Sequence, residues 1–377
     1  MKVLYAAYRH DPCNPDLASG ADYQFYRALV KNNVDVRFIG PFIKPAFILE
    51  RGLRKLYRRW TNKRYLKFDL TNAWRASKEL ERIDRIWKPN VIFMLFFPSL
   101  VFYRGNTPAV FRLDTTFKGQ QKDHPLYGQW ALNVSVWQEQ QAFQKCAKLI
   151  THSVWSKQNM QEEYGVDPQK IVVMPNPAAL PKHIIPPAKM VKPMPLKYPL
   201  KLLLVGRDYH RKGIDIAIEV THRLNQNGVP TELTICGLHG KGDQYCHFTG
   251  RFQKSDPKQL KAYTQLYQAA HFLLHPARFD PSPIVTSEAA AFGLPTLTNN
   301  VGGLATSVKD GESGIVLPKH SPPEAYIRVI REYLENPERY YDLCRTTRQR
   351  YERELNWDVA GKRVVSILED VVKEHNA

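Results

Sequence analysis

Short apolar runs alternate with helix-length amphipathic stretches along this chain, and the alternation occurs twice. In the first half, strand-like runs at 3–7, 34–39, 91–97, 109–113, 148–152 and 171–174 are separated by helix-like segments such as 21–32, 72–87 and 133–145. Strands alternating with helices predict βαβ units and a mainly parallel sheet. The stretch 181–199 interrupts the pattern, because Pro181, Pro186, Pro187, Pro193, Pro195 and Pro199 punctuate it. Proline has no amide donor and clashes inside a helix, so this stretch is neither a central strand nor a helix interior and is expected to link two domains. The alternation resumes in strand-like 202–205, 232–236, 272–275, 295–298 and 314–317. Helix-like 214–225, 260–269, 284–292 and 323–334 lie between them. The expectation is a two-domain α/β chain, with domain 1–180, linker 181–199 and domain 200–355.

A length of 377 residues suits two domains with sizeable cores. The net charge of +18 predicts an anionic partner: a phosphate-bearing substrate, an acidic membrane surface or nucleic acid. No helix-turn-helix, zinc-finger or RNP signature supports nucleic acid. The five cysteines (Cys13, Cys146, Cys236, Cys246 and Cys344) are odd in number and widely spaced. They suggest buried small hydrophobes in a reducing compartment rather than a disulfide framework or a zinc site. The N-terminus runs from Met1 straight into charged Arg9 and Asp11 and reads as a first strand, not a signal peptide. The most apolar run, 91–102, is broken by Pro98 and Ser99 and is too short to cross a bilayer as a helix.

Four features of the second half carry chemistry. Gly206 to Gly213 follows a strand, where doubly wound sheets bind ligands, and Arg207 and Lys212 within it are suited to a diphosphate. In 280–288, Ser282 is expected as an N-cap with Pro283 as the first helical residue. The free N–H groups near Ile284 and Val285 would then face a phosphate, with Asp280 before the helix and Glu288 inside it. Glu288 precedes Ala289-Ala290-Ala291, and an acid packed in so small-sided a helix needs a partner. The turns Val301-Gly302-Gly303 and Asp310 to Gly314 complete the set, the second reading as structural.

This ordered series resembles the family 4 retaining glycosyltransferases. It consists of Gly206-Arg207 with Lys212-Gly213, Phe272 to Pro276, acid-x7-Glu at 280–288, Ala291-Phe292-Gly293-Leu294-Pro295, Val301-Gly302-Gly303 and Asp310-Gly311-x-x-Gly314. Residues 171–176 and the closing Asn356-Trp357-Asp358-Val359 are similar to further family segments. The resemblance implies the GT-B fold, two Rossmann-like domains facing each other across a cleft, with helix 356–377 returning to the first domain. It implies a nucleotide-diphosphate-sugar donor, a UDP- or GDP-sugar, and no other cofactor. Arg207 and Lys212 would bind the diphosphate, Glu288 the ribose, and Asp280 would sit near the sugar hydroxyls. The Ser19-Gly20 turn would face the diphosphate. Gly237 and the turn Thr249-Gly250-Arg251 would lie near the base and the donor sugar. The sequence departs from the family pattern in having Asp280 where Glu is usual and no acid after Gly303. Where many members have a His, this chain has Arg112-Leu113-Asp114, and the resemblance implies that Asp114 would take that place.

No Asp-x-Asp occurs in the chain, so a metal clamp has no candidate ligands and transfer is expected to need no metal. The alternatives are a sugar-nucleotide epimerase on the same fold and a basic nucleic-acid-binding protein. The acceptor is expected to be a glycan or a lipid-linked glycan. The segment 44–67 sets Lys44, Arg51, Arg54, Lys55, Arg58, Arg59, Lys63, Arg64 and Lys67 against the single acid Glu50. Leu49, Leu53, Leu56 and Trp60 form one helical stripe within it. Such a helix either lies on an anionic leaflet, placing the protein on the cytoplasmic face of a membrane, or packs its stripe on the sheet.

Overall fold

In this computed structural model the described residues are 1–9, 11–14, 20–42, 48–191 and 193–377. Ser19 and Lys44 lie outside them, as do the side chains of Leu49, Glu50, Arg51 and Leu53. The chain forms two compact units. Unit 1 comprises Met1–Met174 with Ala360–Ala377, and unit 2 comprises Pro175–Val359.

Unit 1 runs β1 (Lys2–Ala6), α1 (Ala21–Lys31), β2 (Asp35–Ile39), α2 (Ile48–Thr61), α3 (Leu70–Trp87), β3 (Val91–Met94), β4 (Ala109–Leu113), α4 (Phe117–Asp123), α5 (Gln129–Lys145), β5 (Cys146–Thr151), α6 (Val154–Tyr164) and β6 (Ile171–Val173). Its six parallel strands stand in the order β2-β1-β3-β4-β5-β6. The central strands are buried on both faces because helices cover both: every residue of β3 and β4 is buried, all of them apolar but Arg112. Polar side chains cap three of the unit 1 helices, α3, α4 and α6. Asp69 accepts from Asn72 N at 2.9 Å ahead of α3, and Ser153 accepts from Ser156 N at 3.1 Å ahead of α6.

Unit 2 runs β7 (Leu200–Val205), α7 (Ile214–Gln226), β8 (Thr231–Cys236), β9 (Cys246–Gly250), α8 (Pro257–Gln268), β10 (Phe272–His275), α9 (Val285–Ala291), β11 (Thr296–Asn299), α10 (Leu304–Ser307), β12 (Gly314–Leu317), α11 (Pro323–Glu335) and α12 (Pro337–Glu354). The helix α13 (Trp357–Asn376) closes the chain, and from Ala360 onward it belongs to unit 1. The parallel order is β12-β11-β10-β7-β8-β9. The chain winds outward from β7 through β8 and β9, then returns to the other side of β7 with β10. That reversal opens a crevice beyond the carboxyl ends of β7 and β10, the place where doubly wound sheets hold ligands.

Two expectations need correction. The proline-rich stretch 181–199 is not a linker between units, because the division falls earlier, at Met174/Pro175. Proline carbonyls remain acceptors, and unit 2 uses them: Arg348 Nη2 donates to Pro186 O at 2.8 Å, and His271 Nε2 lies 3.0 Å from Pro195 O. Leu180 is buried in the unit 2 core, with Ile184 and Ile185 packed on it. The second correction concerns Ser282, which does not cap a helix. Helix α9 starts at Val285 with Ile284 as its N-cap, and Pro283 lies outside it. Ser282 Oγ is instead bonded to Asn176 Nδ2.

Candidate active site

The turn from β7 into α7 is built for close approach. Gly213 has φ +68°, and a Cβ there would collide with the Pro276 carbonyl at the end of β10. Gly206 N donates to Cys236 O at 2.9 Å, and Gly237 N donates to Gly250 O at 2.8 Å. The ends of β7, β8 and β9 are thereby tied together. Gly237 is left-handed at φ +112° and rests against the Gly206 carbonyl. Arginines rivet this turn to the segment after β10. Arg278 clasps Asp215 through two bonds, of 2.7 and 2.6 Å, and Arg211 Nη1 reaches Phe279 O at 2.9 Å. The turn at 301–303 closes from the third side. Gly303 N donates to Asp280 O at 2.9 Å, and a Cβ on Gly302 would sit 2.6 Å from that oxygen. Only glycine admits that approach at φ +55°.

Asp280 is thus fixed in the crevice. Its Oδ2 accepts from Lys212 Nζ and lies 3.0 Å from His275 Nε2. Burial alone would raise the Asp280 carboxyl, but the Lys212 ammonium and the His275 bond outweigh it and hold it well below the usual carboxylate range. Burial, with the Lys212 charge beside it, lowers His275. The imidazole is therefore neutral and donates from Nε2, and its buried Nδ1 meets no partner among the described residues. Arg207, at the mouth of the turn, is exposed and makes no ion pair among the described residues. The site thus combines a locked cation, Lys212, with an available one, Arg207. No acceptor among the described residues meets the N–H of Ile284 or Val285.

Glu288 on α9 is fully buried. Its Oε2 accepts from Tyr263 and Tyr267 hydroxyls at 2.6 and 2.9 Å, and its Oε1 from Lys254 Nζ at 2.5 Å. The partner that a packed acid requires is therefore Lys254, which no local motif announced. Oε1 keeps one lone pair for a ligand. Gly250 turns left-handed at φ +72° under the His239 ring, and the neighbouring Arg251 is exposed.

Unit 1 gathers its own polar group at the carboxyl ends of β4 and β5. Arg112 Nη2 pairs with Asp114 Oδ1 at 2.8 Å, and Arg112 Nε donates to His152 Nε2. Burial, and then the Arg112 charge, lower His152 to about 3. It is a neutral ring that donates from Nδ1 to Met174 O at 2.6 Å. Asp22 is raised to about 6 by burial, against the pull of Arg112 and a bond from Tyr5. It stands near the start of α1, two residues past Gly20, which is buried at φ +81°. Asp114 therefore sits beside a histidine just past β5, and His152 is the residue that a reading of 112–114 alone misses.

Helix α2 leaves Leu56 49% and Trp60 82% exposed, so this part of the stripe does not pack on the sheet. Among the described residues no helix is long and apolar enough to cross a membrane.

The chain is 26% identical to a glycogen synthase of Mycobacterium tuberculosis over 309 residues, 76% of this chain and 70% of that one. Its fold is similar to that of a sucrose-phosphate synthase from Thermosynechococcus elongatus, with TM-score 0.69 and 16% identity over 99% of both chains. It is also similar to Anabaena HepE, solved in complex with UDP-glucose, with TM-score 0.65 and 14% identity over 98% of this chain and 100% of that one. Residues 23–180 match the family described as Glycosyltransferase Family 4, and residues 192–350 match Glycosyl transferases group 1. With these two matches, on two Rossmann-like parallel sheets of the GT-B type, the chain belongs to this family of glycosyltransferases.

Proposed function

We propose that the protein is a retaining, metal-independent transferase. It moves a sugar from a nucleotide-diphosphate-sugar, a UDP- or GDP-sugar, to a hydroxyl of a glycan or lipid-linked acceptor in cell-envelope or exopolysaccharide synthesis. The observation that carries the reading is the crevice at the reversal between β7 and β10, where Lys212, Asp280 and His275 meet, with exposed Arg207 in the same β7–α7 turn. As the bond from sugar to phosphate breaks, negative charge grows on the departing phosphate oxygens. Lys212, oriented by Asp280 before any ligand arrives, and Arg207 supply fixed positive charge there. One such well-placed donor is worth ~3–4 kcal/mol in the transition state. Asp280, held ionised, is the acceptor for a donor-sugar hydroxyl. Glu288, steadied by Lys254 and the two tyrosines, offers Oε1 to the ribose. Asp114 and the buried His152 form the polar group proposed for the unit 1 side of the reaction.

The membrane reading accompanies this one. Lys55, Arg58 and Arg59 are exposed on α2 together with Leu56 and Trp60. Such a face suits the interface of an anionic leaflet, where each basic residue contributes ~1 kcal/mol. It would bring the enzyme to a lipid-linked acceptor at the inner face of a membrane.

Release of nucleoside diphosphate, followed across a panel of UDP- and GDP-sugars with and without acceptor glycans, tests the function. Acceptor-dependent release that persists in EDTA is expected. Loss of activity in EDTA with recovery on adding manganese or magnesium contradicts metal independence, and conversion of the donor without transfer contradicts the transferase.

A further inference from the structure

His222 on α7, Asp243 in the β8–β9 loop and Cys246 at the head of β9 come from three segments, yet one ligand atom of each lies within 4.8 Å of the others. His222 Nε2 is 2.8 Å from Asp243 Oδ2 and 4.0 Å from Cys246 Sγ. The arrangement is built in advance. Asp243 Oδ1 accepts the backbone N–H groups of Tyr245 and Cys246, both at 2.8 Å, and Asp243 N donates to Cys246 O at 3.0 Å. One carboxylate oxygen is thus committed to the turn, and the other points at the imidazole. The thiol is buried, while the His222 and Asp243 side chains are 34% and 43% exposed, so solvent reaches one side of the group.

We propose that His222, Asp243 and Cys246 bind a divalent transition metal of the zinc type, with water in the fourth position, clamping the β8–β9 loop to α7. Zinc bonds of about 2.3 Å to sulfur and about 2.0–2.2 Å to nitrogen and oxygen place tetrahedral ligands about 3.4–3.6 Å apart. Reaching that geometry opens the 2.8 Å His222–Asp243 spacing by about 0.6 Å, closes the 4.0 Å His222–Cys246 spacing by about 0.5 Å, and draws Asp243 and Cys246, within 4.8 Å of each other, together by up to about 1.2 Å. Thiolate and imidazole favour zinc or cobalt over magnesium or calcium. Binding takes the cysteine as thiolate, and its proton leaves to solvent. The clamped loop begins at Gly237, which rests on Gly206, so the ion would steady the wall of the phosphate turn. None of its ligands lies in the turn 206–213, and the role is structural rather than catalytic.

The test uses the full chain carrying Cys13→Ser, which removes the exposed thiol, titrated with cobalt(II) alone. One equivalent is expected to give a sulfur-to-cobalt charge-transfer band and tetrahedral visible bands. Zinc(II) should displace it and raise Tm. Cys246→Ser should abolish the charge-transfer band. His222→Ala, on the exposed side of a helix, should keep the fold and weaken cobalt binding at least tenfold. Absence of the band in the parent, its persistence in Cys246→Ser, or unchanged affinity in His222→Ala overturns the site.

Discussion

At the carboxyl edge of the unit 2 sheet, Lys212 and Lys254 are each locked to a buried carboxylate, Asp280 and Glu288. At the same edge of unit 1, the buried His152 is neutral, and the carboxylate beside it, Asp114, is half exposed. The sheets also wind differently. Unit 2 steps outward through two strands before reversing and unit 1 through one, which puts the crevice beside β7 in unit 2 and beside β1 in unit 1. The contrast suits a division of labour. Under the proposed function, charge meant for a diphosphate is held in place in unit 2, whereas the neutral imidazole and accessible carboxylate of unit 1 suit an uncharged hydroxyl.

The sharpest way to break this contrast is to remove one locked cation and one available cation. Lys212→Ala leaves the buried Asp280 charge with only His275, and breaking such a pair typically costs ~3–5 kcal/mol of stability. Turnover should also fall by ~10²–10³-fold. Arg207→Ala should lose turnover on a similar scale with Tm unchanged, since Arg207 has no ion pair to lose among the described residues. Equal Tm losses in both variants would erase the distinction between locked and available charge.

Unit 1 is probed by pH. The folded His152 value, about 3, lies below the ordinary ~6.5. Folding therefore favours the neutral ring. Its contribution is complete above the unfolded value and is lost as pH falls from ~6.5 toward 3, on the order of 5 kcal/mol in all. The stability difference between wild type and His152→Gln should shrink steadily over that window. Parallel curves would show that the ring is not held neutral.

A smaller effect is expected at Glu288→Gln. The proposed ribose acceptor and the Lys254 pair weaken together while the tyrosine bonds can re-form to the amide, so nucleoside diphosphate affinity measured by calorimetry should drop about tenfold, ~1.4 kcal/mol. Unchanged affinity removes Glu288 from the binding site. Smallest is α2. Trp60→Ala should leave stability within ~0.5 kcal/mol of wild type, as for other surface changes, yet reduce co-sedimentation with anionic vesicles. Arg54, Lys55, Arg58 and Arg59 changed to Gln should reduce it further. Equal binding to neutral and anionic vesicles would leave α2 as plain structure.

Much of this arrangement was legible wherever it is local in the chain. Gly206 to Gly213 and the residues around Asp280 sit in strand–turn–helix segments whose glycines and charges are contiguous, so the edge of unit 2 could be read directly. Glu288 betrayed itself through the alanines beside it. Its partners Lys254, Tyr263 and Tyr267 did not, because α8 and the segment before it reach Glu288 only through tertiary packing. The pairing of Arg112 with His152 joins residues 40 positions apart, across adjacent strands. Strand β9 escaped because Cys246 to Gly250 has only its two ends buried and no apolar run. The prolines of 181–199 excluded a central strand and a helix interior, and the stretch holds only short 3-10 turns at Lys182–Ile184 and Ala188–Met190 among the described residues, but proline also makes a packed strap, and only burial separates that from a linker.

The account rests on the β7–β10 crevice as the seat of a nucleotide diphosphate, and the direct test is calorimetric titration of wild type and Arg207→Ala with UDP and with GDP. The account predicts one site per chain for one of the two nucleotides, weakened by salt and at least tenfold weaker in Arg207→Ala at unchanged Tm. Binding of neither nucleotide, or identical affinity in both proteins, would contradict it.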